Sequence, residues 1–130
     1  MVARTFESDW LSTQITEAAY YCPERRKRVR LQVICAGRES CRADYLMTRR
    51  TFPWLAIEFV VRGQGCLRMG RERIPLNAGT FFCYGPGIAH EITTEAERPM
   101  VKYFVDFAGP DARRGGSPDG GSAGLERRAA

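Results

Sequence analysis

The sequence predicts an all-β domain, a barrel or sandwich of seven or eight short strands, and three observations predict it. Glu58, Phe59, Val60 and Val61 form an apolar-rich run that closes in a turn bearing Gly63 and Gly65. A second run, Thr80 to Tyr84, starts after Gly79, closes at Gly85, Pro86 and Gly87, and then delivers His90. Between them, runs over 65–69 and 73–76 flank a turn at Gly70 and Arg71, the pattern of a hairpin.

Taken in chain order, the first element predicted is a short helix over 8–21. Ser8 or Asp9 supplies its cap, and Trp10, Leu11, Ile15, Ala18 and Ala19 recur at roughly helical spacing. Pro23 and the charges after it break that pattern. An alternating strand follows over 29–35 and ends at Gly37; another short one covers 44–48, and a third runs over 54–61 to Gly63. After the hairpin, Asn77, Ala78 and Gly79 turn the chain into a strand over 80–84. Two more are expected over 90–94 and 100–107. Residues 115–122 are almost all glycine, serine and proline, which cannot bury enough surface to offset the entropy of ordering, so this segment is expected to be disordered. The last six residues form at most a scrap of helix. The chain thus divides into an N-terminal arm or helix (1–28), a barrel (29–108) and a disordered Gly/Arg-rich tail (109–130).

At 130 residues, 44% hydrophobic and 27% charged, there is material for one packed domain. No apolar run approaches the roughly 20 residues that span a bilayer, and the N-terminus lacks the apolar region of a secretory signal, so a cytoplasmic protein is expected. The five cysteines contain no C-x-x-C pair and His90 is the single histidine, which reads as reduced, mostly buried thiols rather than a zinc site. The net charge of +5 is scattered, and only Arg25, Arg26, Lys27 and Arg28 form a dense group. Charges of that kind keep sheet edges from associating. No helix-turn-helix, zinc finger or aromatic-interleaved basic sheet is legible, so direct DNA recognition by this chain alone is not expected.

The two glycine-bearing motifs resemble those of the cupin barrel. Glu58 and Gly65 stand at the spacing of the last two positions of the first motif, and Gly79, Gly87 and His90 at the spacing of the second. The first motif's histidine positions fall within 51–54, which offer no imidazole. The resemblance implies a cupin-type double-stranded β-helix barrel, jelly-roll-like, with one imidazole and one carboxylate left of the ligand set. Protein metal sites generally use three or more ligands, so neither metal nor cofactor is expected.

A narrower resemblance rests on Val60 to Gly65, on Arg73, Leu76 and Gly79, on Tyr84, Pro86, Gly87 and His90, and on a closing strand that ends at Phe107. These are similar to the N-terminal sensor domain of AraC-type transcription regulators. In that family the barrel binds a small effector without metal, and effector state governs the dimer and the posture of an N-terminal arm. The resemblance ends at about Phe107, short of the family's dimerisation helices and DNA reader. The implied function is effector sensing without catalysis, with a homodimer possible; the alternative is a stand-alone cupin enzyme, an isomerase or metal-dependent oxygenase.

Strand alternation then selects candidate residues. If Glu58 points inward, Trp54, Ala56 and Val60 share its face while Ile57 and Phe59 face out. His90 takes Ile92 inward, and family matching places Lys102 and Phe104 inward and Tyr103 and Val105 out. Arg49 matches an arginine that the family can use on polar effectors. The expected ligand-binding set is Arg49, Trp54, Glu58, Tyr84, His90, Lys102 and Phe104, a mixture of charge and aromatic surface suited to a sugar-like or anionic metabolite. Each residue also has a plainer role open to it. Trp54 and Phe104 can be core, Tyr84 can cap a barrel end, Glu58 and Lys102 can pair, Arg49 can be a solvated flank, and His90 a hydrogen-bonded core histidine.

Overall fold

Ten antiparallel strands form two sheets in the computed structural model, which describes residues 10–112 and the backbone of residues 126–128. The strands are β1 (Ile15–Tyr21), β2 (Gln32–Cys41), β3 (Leu46–Arg49), β4 (Leu55–Arg62), β5 (Gln64–Met69), β6 (Glu72–Asn77), β7 (Thr80–Tyr84), β8 (His90–Thr94), β9 (Val101–Ala108) and β10 (Glu126–Arg128). One sheet has the order β1-β2-β9-β4-β7-β10 and the other β3-β8-β5-β6. The pairings nest: β5 with β6, β4 with β7, β3 with β8 and β2 with β9. A long ribbon closed by the β5–β6 hairpin and wound on itself gives this pattern, the jelly roll of a cupin-type barrel. The apolar core lies between the sheets and is built on Ile34, Phe52, Ala56, Val60, Leu67, Leu76, Phe82, Ile92 and Met100.

The helix expected over 8–21 is not formed. Residues 15–21 are the edge strand β1, laid along β2 with Tyr21 opposite Ala36; residues 1–9 lie outside the described residues. Ala18 and Ala19 favour helix, but a segment this short cannot hold one alone, and the open edge of β2 offers a ladder that pairs the backbone groups on its β2-facing side. The strand expected to stop at Gly37 instead runs on to Cys41. A side chain at Gly37 would collide with the rings of Tyr20 and Phe104, so this glycine makes room for aromatic rings rather than ending the strand.

The remaining strands fall close to their expected places. Gly87, with a φ of 79°, turns the chain between β7 and β8 so that His90 opens β8. The tail departs from the expected disorder where it is described. Residues 110–112 form one helical turn, with Ala112 buried and Asp111 paired to Arg30 at 2.8 Å. Residues 126–128 form a strand on β7 where a scrap of helix was expected. The glycine-rich stretch over 115–122 lies outside the described residues.

Candidate functional site

The inner faces of β2, β4 and β9 place three charged side chains together in the barrel. Alternation turns Glu39, Glu58 and Lys102 inward, each no more than 4% exposed. The Lys102 ammonium lies 3.0 Å from Glu39 Oε1 and 2.8 Å from Glu58 Oε1. An unpaired charge at this depth would cost several kcal/mol, about as much as an ion pair loses when one partner is removed. The ammonium also stands over the rings of Tyr45 and Phe104, at 5.4 and 5.7 Å from their centroids.

A second set of contacts extends from Glu58. The Tyr84 hydroxyl donates to Glu58 Oε2 at 2.5 Å, and Arg49 Nη1 donates to the same hydroxyl at 3.0 Å. Arg49 Nη1 also approaches His90 Nε2 at 3.4 Å, its guanidinium lies 4.5 Å from the Phe52 ring centre, and Nη2 donates to the Trp10 carbonyl. The His90 ring lies tilted by 34° against Tyr84 with centroids 3.9 Å apart, and Nδ1–H donates to the Ile88 carbonyl at 2.9 Å. That bond leaves the Nε2 lone pair facing Arg49. On the other flank, the Tyr20 hydroxyl donates to Glu39 Oε2 at 2.6 Å.

Burial and neighbours set the charge states. Burial opposes ionisation of Glu58, but Lys102, Tyr84 and Arg49 outweigh it and hold the carboxyl below its usual range. Burial likewise opposes the Lys102 charge, yet Glu58, Tyr45 and Glu39 raise it well above an ordinary lysine. Burial and the Arg49 charge lower His90, so its imidazole is neutral near pH 7. Burial together with the Glu58 charge pushes Tyr84 well up. Asp106, two residues beyond Phe104 on the same face, is pushed up to about 8 by burial and by the charge of Glu58, and is therefore mostly protonated at neutral pH.

A cavity of only about 10 Å³, space for roughly one water, remains among these groups. Glu39, Glu58, Lys102 and Asp106 line it, and Trp10, Leu11 and Ser12 close it. Two buried atoms at the site lack a hydrogen-bond partner: Arg49 Nε, and Glu58 Oε1, which meets the ammonium off the direction of a hydrogen bond. Trp54, expected in the set, does not line this cavity. Its ring sits edge-on to Phe52 and Trp10 at 5.4 and 6.0 Å and borders a separate groove of about 440 Å³ with Pro53, Pro86, Phe107 and Pro110. His90 stands behind Tyr84 and Arg49, off the cavity wall. Arg49, Glu58, Tyr84, Lys102 and Phe104 line the cavity together.

Sequence reasoning missed Glu39, Asp106, Tyr45, Met47 and the Trp10–Ser12 closure. Alternation could have found two of them. Asp106 follows Phe104 by one inward step, and Glu39 follows once β2 is carried through Gly37. Nothing local marks Tyr45 or Trp10.

The donor set does not fit the metal that many cupins hold. Glu58, the carboxylate near His90, already neutralises Lys102 and accepts from Tyr84, and the free imidazole nitrogen faces a guanidinium. A cation there would meet two positive groups at close range. Among the described residues no group of three or more His, Cys, Asp or Glu is arranged to hold a metal ion. No described helix is long and apolar enough to cross a membrane.

The family described as the AraC-like ligand binding domain matches residues 33–124. No curated protein matches the chain. Among solved structures, YhaK from Escherichia coli superposes with a TM-score of 0.67 at 8% identity, over 89% of this chain and 52% of YhaK, so this chain spans about half that protein's length. A Cupin 2 conserved barrel domain protein from Salinispora arenicola gives 0.59 at 16% identity, over 88% of this chain and 94% of the other. HppE, solved with iron(II), gives 0.53 at 16% identity, over 68% of this chain and 50% of the other. At these identities the likeness shows the fold, which sensors and metalloproteins share.

Proposed function

Because the chain belongs to the AraC-like ligand binding domain family and is thus an effector-sensing domain, we propose that its effector is a small, neutral, polyhydroxylated molecule bound in the cytoplasm where Trp10, Leu11 and Ser12 now close the barrel. The observation that carries this reading is the charge balance. Two cations, the half-buried Arg49 and the buried Lys102, stand with two buried carboxylates, Glu39 and Glu58, while Asp106 and His90 are neutral near pH 7. An anion entering this site would find no surplus positive charge, and a carboxylate would have to give way. Hydroxyl groups, which both donate and accept, suit the unfilled Arg49 Nε and the protonated Asp106 carboxyl.

Room for the effector has to be made, because the present cavity has space for no more than about one water. Tyr45 aside, the Trp10–Ser12 segment is the part of its wall that belongs to no strand, and the Arg49 bond to the Trp10 carbonyl fastens it. Lifting it opens the wall that carries Arg49, Tyr84 and Glu58. Phe104 and Tyr45 then supply faces for the apolar side of a ring, Lys102 orients Glu58, and His90 and Trp54 buttress the wall from behind. No reaction is proposed at this site.

Thermal shift against a panel of neutral sugars, sugar acids and sugar phosphates at equal concentration tests the reading. A neutral sugar is expected to raise Tm, since binding at 100 times Kd stabilises by roughly 2.7 kcal/mol. That shift should vanish in Glu58→Gln. A response confined to the acids and phosphates would overturn it.

A further inference from the structure

Cys22 and Cys35 stand outside the candidate site and are brought together by the sheet. The β1–β2 register pairs Tyr20 with Gly37 and Tyr21 with Ala36; one further step sets Cys22 opposite Cys35. Side chains alternate along β2, and Cys35 and Glu39 both face inward, so Cys22 and Cys35 share that face. Directly opposed residues on an antiparallel pair have Cβ atoms roughly 4.5–5.5 Å apart, near the separation a disulfide spans. Burial, followed by the neighbouring Cys22 thiol, raises Cys35 well above an ordinary thiol. Cys35 is 1% exposed while Cys22 is half-buried, and both are free thiols. One partner is thus open to solvent and the other is held in reserve beneath it.

We propose that Cys22 and Cys35 form a peroxide-responsive dithiol that closes to a cross-strand disulfide and fixes β1 to the sheet. The Cys22 thiolate attacks hydrogen peroxide, takes one oxygen as a sulfenic acid and releases water. The Cys35 sulfur then attacks the Cys22 sulfur and displaces that oxygen as a second water. Two thiols lose two electrons and two protons, and one peroxide becomes two waters. β1 is an edge strand, so the bond would act on a segment held on one side only. Two residues before Cys22, Tyr20 holds Glu39, and upstream the same segment carries the Trp10 closure. Thiol state would therefore set how freely this stretch leaves the barrel.

Treating reduced protein with hydrogen peroxide tests this, using mass spectrometry and thermal unfolding. Trypsin cuts within 25–30 and separates the two cysteines unless sulfur joins them. A linked peptide carrying Cys22 and Cys35 is expected, with Tm raised by roughly 5–10 °C and restored by dithiothreitol. Cys66→Ser should keep the response and Cys22→Ser should lose it. Cys22 is half-buried, so that variant keeps the test readable should a change at buried Cys35 fail to fold. Cys22 recovered as a sulfinic acid beside a free Cys35, or a bridge joining other cysteines, would overturn the proposal.

Discussion

The inner face of the six-stranded sheet carries Glu39, Glu58, Lys102 and Asp106, none more than 6% exposed, whereas its outer face leaves Ile57 and Val61 39% and Tyr103 48% exposed. One strand pair shows both sides. Glu58 lies opposite Phe104 inside, and the next rung sets Phe59 opposite Tyr103 outside. Burial alone would exchange these faces, because charge belongs in water and aromatic rings out of it. A charged interior persists where its groups neutralise one another, and Lys102 between two carboxylates does so. Pairing is what allows these charges to stay inside, while the outer face leaves apolar side chains exposed and available for contact.

The largest effect expected from breaking this contrast is at Lys102. Lys102→Met leaves two buried carboxylates facing each other and should cost about 3–5 kcal/mol in urea unfolding. Adding Glu39→Gln and Glu58→Gln should recover most of the loss; a cost under about 1 kcal/mol for the single change would mean the interior is hydrated.

Next comes Asp106, whose contribution depends on pH. Its folded pKa, about 8, lies above the ordinary 3.8, so the unfolded chain gives up its proton first. Stability from this group is whole below about pH 4 and falls as pH rises toward 8. Glu58 acts with the opposite sign: its pKa is lowered, so its contribution is present above the ordinary carboxylate range and is lost as pH falls through the folded value. Asp106→Asn should therefore be near neutral at pH 4 and stabilising by on the order of 3–5 kcal/mol at pH 8. A gain that does not change with pH would refute the assignment.

Tyr84→Phe is the third in size. It removes one hydroxyl and leaves Glu58 Oε2 and Arg49 Nη1 each short of a partner, for about 1–3 kcal/mol, measurable by urea midpoint. The smallest change belongs to the outer face. Tyr103→Ser should alter monomer stability by no more than about 0.5 kcal/mol. Sedimentation of Tyr103→Asp asks whether a second copy uses that face: conversion of a dimer to monomer would sharpen the contrast, and an unchanged dimer would place the interface elsewhere.

Much of the barrel was legible because strands carry their own face code. Alternation about Glu58 placed Ala56 and Val60 inside and Ile57 and Phe59 outside, and β7 and β8 fall where glycine and proline punctuate the chain. What failed locally failed for tertiary reasons. The β1 segment reads as helix until β2 offers it an edge, and Gly37 reads as a stop until two rings need its missing side chain. Within the site, the residues found are those on strands with clear alternation. Glu39 was hidden by the false stop at Gly37. Trp54 was placed on the correct face but beyond the reach of the cavity, since a shared face says nothing of height along the strand.

Local pattern was enough for the all-β class and for the turns and inward faces of β4, β7 and β8, because glycine, proline and period-two alternation act over a few residues. The tertiary structure decided what those inward charges do. Glu39 and Lys102 are 63 residues apart in the chain and meet at 3.0 Å only because β2 lies beside β9. Charge pairing, a protonated Asp106 and closure by Trp10 all depend on such long-range neighbours. The physical reason is that electrostatic energy in a dry interior follows distance through space, which local sequence does not encode.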